Sequence, residues 1–282
     1  MPELPEVEVL VRYLEPLLRN KTIRKIGVRR ERVIAPTSPR QLKSVLRGTE
    51  FAGLTRRGKY LLFNLRAART AKPFIVVGHL GMTGRMYLLP EKAELPKHAA
   101  VVLNLGKENF IFEDTRYFGR FTLDTSAVEN LGPEPLSADF SAESFSRGLN
   151  KSSQPIKVKL LDQTVVAGVG NIYASEALFQ AKVSPKVAAR RLKAAHIERL
   201  RQSIRAVLTE AIAGGSTARL DYEGANGRDR LFYFGSADIS VSYEERLRVY
   251  DREGKPCLVC GTPIRRIVQA ARSTFYCPNC QR

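Results

Sequence analysis

The chain has 282 residues, of which 46 are lysine or arginine and 28 are aspartate or glutamate, so its net charge is +18. No apolar stretch approaches the roughly 18 residues that a membrane-spanning helix needs, which argues against a membrane protein. The length is too great for one small module and suits two modest domains with an appendage.

The excess of basic charge predicts a polyanionic partner, which is DNA, RNA or an anionic membrane surface. No basic amphipathic helix with an aromatic face stands out, so nucleic acid is favoured over a membrane. A soluble basic protein without such a partner is the simpler alternative, because charge alone is a weak signal. The first six residues, Met1–Glu6, contain acids and two prolines where a signal peptide has positive charge and an apolar stretch. We therefore expect a cytoplasmic protein.

The N-terminal half begins with a predicted helix and continues with short strands. Apolar residues recur at helical spacing from Val7 to Leu18, and Pro5 stands where a first helical turn tolerates proline. Gly, Asn and Lys clusters separate the strand-like runs that follow, a pattern typical of an antiparallel sandwich or barrel. The predicted strands are Thr22–Val28, Tyr60–Leu65, Phe74–Val77, Ala100–Leu105, Phe110–Phe112 and Phe121–Leu123.

The pattern changes at residues 131–135, where two prolines and a glycine indicate an inter-domain linker. Beyond it, Ile172–Gln180 and Leu192–Ile212 are the clearest helices, the second with its apolar residues on one stripe. Residues 221–235 are rich in Gly, Asp and Arg and predict a long loop. The sequence therefore predicts an α+β protein, with an antiparallel β-domain first and a helical domain second.

All four cysteines lie in the last 26 residues, as two Cys-x2-Cys pairs separated by sixteen residues. This spacing predicts a zinc ribbon in which Cys257, Cys260, Cys277 and Cys280 bind one Zn2+. Four protein ligands leave no open coordination position, so the metal is expected to be structural. Two disulfides are the alternative, which a cytoplasmic location disfavours. Arg272 lies in this basic segment and is a candidate for entering a DNA groove, although a solvated surface arginine is the simpler interpretation.

The start of the chain offers an amine nucleophile. Removal of Met1 would leave Pro2 as a free secondary amine, and an α-amino group titrates near pH ~8, so part of it is unprotonated at neutral pH. Such an amine condenses with an aldehyde-like sugar carbon to an iminium, and Glu3 and Glu6 are near enough in sequence for acid–base work. A frayed terminus with helix-starting acids is the simpler interpretation, and the residues alone leave both open.

Two loops of the N-terminal half carry apolar residues beside glycine or arginine. Met82 lies on a glycine-flanked loop, and Arg116 and Phe118 stand two residues apart on another. Apolar wedges with a nearby arginine are what a base-flipping protein inserts into a base stack. Core packing of Met82 and Phe118 is the alternative. A basic turn at residues 56–60 suits a phosphate clamp.

A Gly-Val-Gly-Asn sequence at residues 168–171 directly precedes a predicted helix. Asn171 is a suitable N-cap, and a helix N-terminus with exposed N–H groups binds phosphate. The run lacks the third glycine and the preceding βαβ pattern of a dinucleotide site. In a basic chain, a DNA phosphate is therefore the better candidate ligand.

Taken in order, these motifs resemble the formamidopyrimidine-DNA glycosylase family, within the superfamily that includes endonuclease VIII. The resemblance runs from end to end. It is carried by Met-Pro-Glu-Leu-Pro-Glu-Val-Glu at residues 1–8, Arg-Gly-Lys-Tyr at 57–60, His-Leu-Gly-Met at 79–82, Gly-Val-Gly-Asn-Ile-Tyr-Ala at 168–174 and the terminal cysteine pairs.

The resemblance implies a bifunctional DNA glycosylase and AP lyase of base-excision repair, which removes oxidised purines such as formamidopyrimidines and 8-oxoguanine. It implies Pro2 as the nucleophile at the sugar C1′, Glu3 as its acid–base partner and Lys59 as the catalytic group at the lesion phosphate. The iminium then drives β- and δ-elimination and leaves a one-nucleotide gap. The implied DNA contacts are Met82, Arg116 and Phe118 at the vacated space and the orphaned base, Asn171 and Arg272 at backbone phosphates, and His98.

The resemblance also implies the domain organisation. We expect an N-terminal catalytic β-sandwich domain at residues 1–131, a helical domain with a helix–two-turn–helix DNA-binding motif at 132–247, and a zinc finger at 248–282. Double-stranded DNA with oxidised bases or abasic sites would lie in the cleft between the lobes. We further expect one structural zinc, a monomer, no membrane partner, and a bacterial cytoplasmic protein associated with the nucleoid.

Two features depart from the family pattern. The family often has two arginines before the phenylalanine of the second loop, whereas here Tyr117 replaces the second arginine. Residues 218–250 are longer than expected and do not follow the pattern of the loop that covers the flipped base in relatives. The choice of damaged base is therefore left open.

Two alternatives to an oxidised-purine glycosylase remain. An endonuclease VIII-type enzyme would prefer oxidised pyrimidines, but those enzymes usually carry glycine where this chain has Leu4. A non-catalytic zinc-finger DNA-binding protein is the other, and the intact Pro2, Glu3 and Lys59 argue against it.

Overall fold

The structure is a computed structural model that describes residues 2–67, 70–215 and 247–282. The loop predicted at residues 221–235, and most of the atypical stretch 218–250, lie outside the described residues. The described part of the chain forms two compact units. Pro2 and residues 7–129 belong to the first unit, and Glu3–Glu6 belong to the second with residues 130–215 and 247–282.

Helix α1, Leu4–Leu18, forms because one face of it is apolar. Its stripe from Val7 to Leu18 is buried at helical spacing, which confirms the helix predicted there. Pro5 lies in the first turn, where its missing N–H has no intrahelical partner to lose. Two residues beyond the helix end, Asn20 adopts a left-handed conformation with φ of 63°, which turns the chain towards the strands.

Two four-stranded antiparallel sheets form the first unit, in the strand orders β2-β3-β4-β8 and β1-β6-β7-β5. Phe63 of the first sheet contacts Phe110 of the second edge to face, with ring centroids 5.5 Å apart, so the sheets pack as a sandwich. Helix α2, Pro39–Leu46, and a 3-10 turn at Glu31–Val33 precede β2. The strands are β1 Lys25–Val28, β2 Thr49–Arg57, β3 Tyr60–Ala67, β4 Thr70–His79, β5 Gly84–Pro90, β6 Ala99–Asn104, β7 Glu108–Asp114 and β8 Arg120–Thr122.

Every predicted strand of the first unit coincides with an observed strand, but two of the strands described there, β2 and β5, were not predicted. The first predicted strand begins too early, since Thr22 forms only an isolated bridge with Glu50 and β1 starts at Lys25. Strand β2 does not show in the sequence because a register shift at Gly53 interrupts its alternation of buried and exposed residues, and because it ends in two arginines. Strand β5 escapes because it begins with a glycine and ends with a proline.

Most of the regular secondary structure in the described part of the second unit is helical. Residues 131–135 are irregular, as predicted for a linker, but they are hydrogen-bonded: the Gly132 N–H donates to the Gln163 carbonyl at 2.8 Å. Apolar residues of the longest helix pack on the helix that precedes it, where residues 173–179 are all buried. The helices are α3 Ser126–Glu129 at the end of the first unit, then α4 Ala142–Leu149, α5 Ile156–Leu160, α6 Asn171–Gln180 and α7 Ala194–Ala213, with a 3-10 turn at Ala189–Arg191.

The chain ends in a hairpin of β9, Arg265–Gln269, and β10, Arg272–Tyr276. Ala270 and Ala271 have φ of 47° and 58°, the pair of positive values that a two-residue type I′ turn requires. Arg272 was expected at the turn itself, but it opens the second strand. Throughout the described ranges, no helix has both the length and the apolar character needed to cross a membrane.

Candidate active site and nucleic-acid interface

The carboxylate of Glu3 caps the N-terminus of α6. Its Oε1 accepts the Ile172 N–H at 2.9 Å and its Oε2 accepts the Tyr173 N–H at 3.3 Å, and Glu3 is only 2% exposed. A β-carbon on Gly170 would lie 2.2 Å from the Glu3 Cδ, so only glycine leaves room for this carboxylate. We predicted that the N–H groups at the start of this helix bind a phosphate. The N–H groups of Ile172 and Tyr173 already donate to Glu3, so the prediction is wrong for these two.

The other glycine of the run admits the residue that follows Glu3. The Leu4 N–H donates to the Gly168 carbonyl at 3.1 Å, and a β-carbon on Gly168 would lie 2.6 Å from the Leu4 side chain. Gly168 also has φ of +84°, which non-glycine residues rarely adopt. The glycine-rich turn thus holds the N-terminal segment in place. Pro2, the residue that precedes Glu3 in the chain, is itself buried.

Glu6 forms a second buried carboxylate beside Glu3. The Tyr173 hydroxyl donates to the Glu6 Oε1 at 2.8 Å, and the Glu3 backbone N–H donates to its Oε2 at 2.7 Å. Burial raises the pKa of Glu6 above its usual value, and the negative charge of Glu3 raises it further. Both oxygens of Glu6, like both oxygens of Glu3, therefore accept hydrogen bonds, and the two carboxylates lie side by side.

Asn171 is the first residue of α6 and not its N-cap, because Gly170 holds that position. The Asn171 Oδ1 accepts the Lys157 ammonium at 2.6 Å, and its amide nitrogen donates to the Ser273 carbonyl of β10 at 2.9 Å. Asn171 thus connects α5 to the terminal hairpin. The Asn171 side chain also hydrogen-bonds to the Tyr250 hydroxyl.

Lys157 is a polar core residue that the sequence did not indicate. It is 1% exposed, and burial lowers its pKa from 10.5 to about 8, opposed by the charge of Glu3 and assisted by that of Arg272. Its only signal is a lysine between apolar residues in the short helix α5, which is equally typical of an exposed helix face.

Lys59 lies in the tight turn between β2 and β3 and is buried, with 7% exposure. The next residue, Tyr60, packs on His79 with ring centroids 4.7 Å apart. Burial and the charges of Lys59 and Arg120 lower the pKa of His79 to about 4, so its ring is neutral at physiological pH. The His79 Nδ1 accepts the Gly81 N–H at 3.0 Å, which leaves the proton on Nε2. His79 begins the His-Leu-Gly-Met motif, but the sequence alone does not indicate that it is buried or neutral.

Met82, Arg116 and Phe118 lie together on the surface of the first unit. Met82 is 44% exposed and Phe118 42%, so the core-packing alternative is wrong for both. The Arg116 guanidinium lies 4.8 Å from the centre of the Phe118 ring, and one of its nitrogens is 3.3 Å from the Met82 sulfur. Asp114 shapes the loop, since its carboxylate accepts the backbone N–H groups of Arg116 and Gly119 at 3.1 and 2.8 Å.

His98 is half-buried, and its Nδ1 is 3.2 Å from the Tyr117 hydroxyl. Arg272 is exposed at the start of β10. The structure thus places the candidate DNA contacts in separate local settings within their own units. Their roles remain predictions.

The four cysteine sulfurs form one compact cluster. The Cys257 and Cys280 sulfurs are 3.9 Å apart, the Cys260 and Cys277 sulfurs are 3.5 Å apart, and all four lie within 4.8 Å of one another. Zinc–sulfur bonds of about 2.3 Å in a tetrahedron place sulfurs about 3.8 Å apart, whereas a disulfide needs about 2.05 Å. The cysteines therefore fit one structural Zn2+, and the disulfide alternative is wrong.

Comparison with known proteins agrees with this arrangement from end to end. Family profiles match residues 1–121 as the formamidopyrimidine-DNA glycosylase N-terminal domain, 131–221 as its H2TH domain and 254–282 as a zinc finger found in FPG and IleRS. Formamidopyrimidine-DNA glycosylases from Listeria monocytogenes and Burkholderia thailandensis are 38% and 42% identical to it, with 100% of both chains covered in each case. The chain belongs to the formamidopyrimidine-DNA glycosylase family.

Solved structures of relatives in this family have the same fold. Wild-type Lactococcus lactis FPG bound to DNA with an oxidised pyrimidine matches with a TM-score of 0.86 at 34% identity, over 100% of both chains. L. lactis Fpg bound to DNA with an abasic site matches at 0.85 and 34% identity, over 99% of both chains. MutM bound to DNA with carbocyclic 8-oxo-G matches at 0.85 and 35% identity, over 100% of both chains. The predicted family and α+β fold class are confirmed.

Proposed function

We propose that this protein is a DNA glycosylase and AP lyase of base-excision repair that removes oxidised purines, formamidopyrimidines and 8-oxoguanine among them. Its full-length relatives carry the name formamidopyrimidine-DNA glycosylase, and solved relatives are bound to DNA with damaged bases or abasic sites. The observation that carries the proposal is the capture of the Glu3 carboxylate by α6, because it positions an acid next to Pro2, whose nitrogen becomes the terminal amine once Met1 is removed.

The chemistry begins at the Pro2 amine once Met1 has been removed. The nitrogen bonds to the sugar C1′, and the glycosidic bond breaks with its electron pair leaving on the damaged base. Opening of the sugar ring gives an iminium, which draws electrons from C2′ after loss of a proton there. The 3′ phosphate leaves by β-elimination, and the 5′ phosphate then leaves by δ-elimination. Hydrolysis of the remaining iminium returns Pro2 and leaves a one-nucleotide gap.

Glu3 is the acid–base partner in this scheme, since it is the carboxyl group next to the nucleophile in the chain. The two backbone N–H groups of α6 fix its orientation, so it is positioned without a loss of side-chain freedom during the reaction. Proton delivery to the sugar ring oxygen is the step that it would assist.

DNA contacts in this scheme are mostly to phosphates. Lys59 would bind the phosphate at the lesion, and Arg272 and Asn171 would bind neighbouring phosphates. Met82, Arg116 and Phe118 would occupy the space left by the flipped base, for which their shared exposure suits them. His98 would add a further contact beside this group.

The zinc ribbon would present Arg272 to DNA. Four thiolates hold a closed Zn2+ site and therefore supply folding energy and no reactive position. The partner would be double-stranded DNA, bound by a monomer that works in association with the bacterial nucleoid and without a membrane partner.

Trapping of a covalent complex tests the proposal. Borohydride should reduce the iminium and link the protein to DNA that carries an 8-oxoguanine or an abasic site. Peptide mapping should place the DNA on Pro2. DNA attached to a lysine with Pro2 free would contradict the mechanism, and the absence of any trapped product would favour a non-catalytic DNA-binding protein.

Oxidised pyrimidines are a second candidate substrate class. A solved relative, wild-type L. lactis FPG, is bound to DNA that contains an oxidised pyrimidine. Excision rates on a panel of oxidised purines and pyrimidines, each opposite its four partner bases, separate the two candidates. We expect the purines to be removed faster.

A further inference from the structure

Three arginines surround two aromatic rings of the loop after β7. The guanidinium carbon of Arg30 lies 5.2 Å from the centre of the Tyr117 ring. Those of Arg32 and Arg116 lie 5.4 and 4.8 Å from the centre of the Phe118 ring. We call these five residues the arginine–aromatic platform. Arg30 and Arg32 come from the segment that follows β1, and neither was a candidate in the sequence.

The platform carries positive charge that no described acid neutralises. All three arginines are exposed, and among the described residues none of them forms an ion pair. The Arg30 side chain donates one hydrogen bond, to the Arg29 carbonyl at 3.1 Å. An aromatic face attracts a cation without cancelling its charge, and a guanidinium has five N–H donors. Most donors of Arg30 thus remain available to an anion.

Tyr117 fixes the place of Arg30 and has no charge of its own. Its hydroxyl is 3.2 Å from the His98 Nδ1, which restrains the far end of the ring. This is the position at which the family often has a second arginine. The chain therefore has no positive charge at position 117, but the Arg30 guanidinium contacts the ring of Tyr117 there.

We propose that Arg30 binds a backbone phosphate of DNA and supplies through space the positive charge that position 117 lacks. The proposal rests on the proposed DNA-binding function and extends it to a residue outside the family motifs. A stacked guanidinium has its planar edge free for two parallel hydrogen bonds to phosphate oxygens. Stacking on Tyr117 also limits the rotamers of Arg30, so less side-chain entropy is lost when the phosphate binds.

The test measures affinity for a duplex with an abasic-site analogue as a function of salt. Each phosphate contact contributes about 0.9 to the slope of log affinity against log salt concentration. We expect Arg30→Gln to make the slope shallower by about that amount and Arg30→Lys to retain most of it. Arg19→Gln is the matched control, because it removes the same charge from an exposed arginine that pairs with Glu15 on α1.

Restoration of the charge at position 117 provides the second arm. Arg30→Gln combined with Tyr117→Arg should recover the slope, whereas Arg30→Gln combined with Tyr117→Phe should not. Equal slopes for Arg30→Gln and Arg19→Gln, with wild-type binding and borohydride trapping intact, would overturn this inference and leave the proposed function standing. A wild-type protein that neither binds the duplex nor is trapped on it would overturn both.

Discussion

Two regions with candidate functional residues are built in opposite ways. Around Glu3, the carboxylates of Glu3 and Glu6 and the ammonium of Lys157 are buried and meet their partners through hydrogen bonds. Around Phe118, the side chains are exposed and meet through ring faces and a thioether. A buried polar group that loses its partner costs about 1–3 kcal/mol, whereas an exposed side chain costs little when it is truncated. Variants in the two regions should therefore separate differently into effects on folding and effects on function.

Gly170→Ala gives the largest expected effect in the buried region. Gly170 has φ of −126°, which alanine adopts freely, and the three atoms nearest to an added β-carbon all belong to the Glu3 carboxyl, the first 2.2 Å away. The flexible end of Glu3 can move aside, which leaves the fold intact but breaks its hydrogen bonds to α6. We expect excision and strand cleavage to fall by a factor of about 100 or more, with about 1–3 kcal/mol lost from the free energy of unfolding.

Gly27→Ala is the control for this substitution. A β-carbon there would meet Val102 at 3.7 Å, an ordinary contact, and the backbone is not left-handed. Its activity should stay within about twofold of wild type. If Gly170→Ala also kept its activity, the position of Glu3 at α6 would not matter for the reaction.

Cys277→Ser should have the next largest effect, through the zinc ribbon. Loss of one thiolate releases the metal, and a module of this size depends on zinc for its folding energy. Strand β10 would then no longer offer the Ser273 carbonyl to Asn171, nor hold Arg272 in place. We expect zinc content to be lost and DNA affinity to fall by about 10- to 100-fold, measured by metal analysis and by titration of an abasic-site duplex. Normal affinity without zinc would exclude the ribbon from the DNA interface.

The sequence predicted the exposed region better than the buried one. Met82, Arg116 and Phe118 were candidates for a contact surface, with core packing as the alternative for Met82 and Phe118, and all three are exposed. The zinc site follows from cysteine spacing alone. Both depend on residues that are near one another in sequence or that share one chemistry.

The buried region depends on contacts between distant residues, so the sequence predicted its members but not their arrangement. Glu3 and Gly170 are 167 residues apart, and nothing local indicates that one makes room for the other. The phosphate assigned to the glycine-rich turn was a reasonable local expectation that Glu3 displaces. Lys157 and His79 were missed for the same reason, since burial and neighbouring charges, which only the fold supplies, lower their pKa values.

Met82→Ala and Phe118→Ala sharpen the contrast from the exposed side. Each should lower excision of 8-oxoguanine from duplex DNA by about tenfold. The side chain replaces the stacking contacts of the flipped base, and its truncation loses about 1–3 kcal/mol of that interaction. Cleavage at a ready-made abasic site should change much less, because no base has to be extruded there. Thermal stability should not change, as both side chains are exposed.

Leu95→Ala is the matched control for the wedge, since Leu95 is another exposed apolar residue of the first unit. It should leave the two activities unchanged. Equal losses of excision and of abasic-site cleavage in Met82→Ala or Phe118→Ala would mean that these residues do not act on the flipped base.

The smallest expected effect on activity comes with a pH dependence of stability that belongs to Lys157. Its pKa is about 8 in the folded protein and 10.5 in the reference state, so between these values the unfolded chain binds more protons than the folded one. Stability attributable to this group therefore rises with pH through that window, and below it the buried ammonium carries its full cost. At about 1.4 kcal/mol per pKa unit, the span is of the order of 3 kcal/mol.

Lys157→Met should remove this rise, seen as a flatter curve of unfolding free energy from denaturant titrations at pH ~7.5 to ~10. Lys159 lies on the same helix as Lys157 and pairs with Asp162, so Lys159→Met is the control and should follow the wild-type curve. If the Lys157→Met and wild-type curves ran parallel, the Lys157 ammonium would be hydrated in solution and the polar cluster around Glu3 would be open to water.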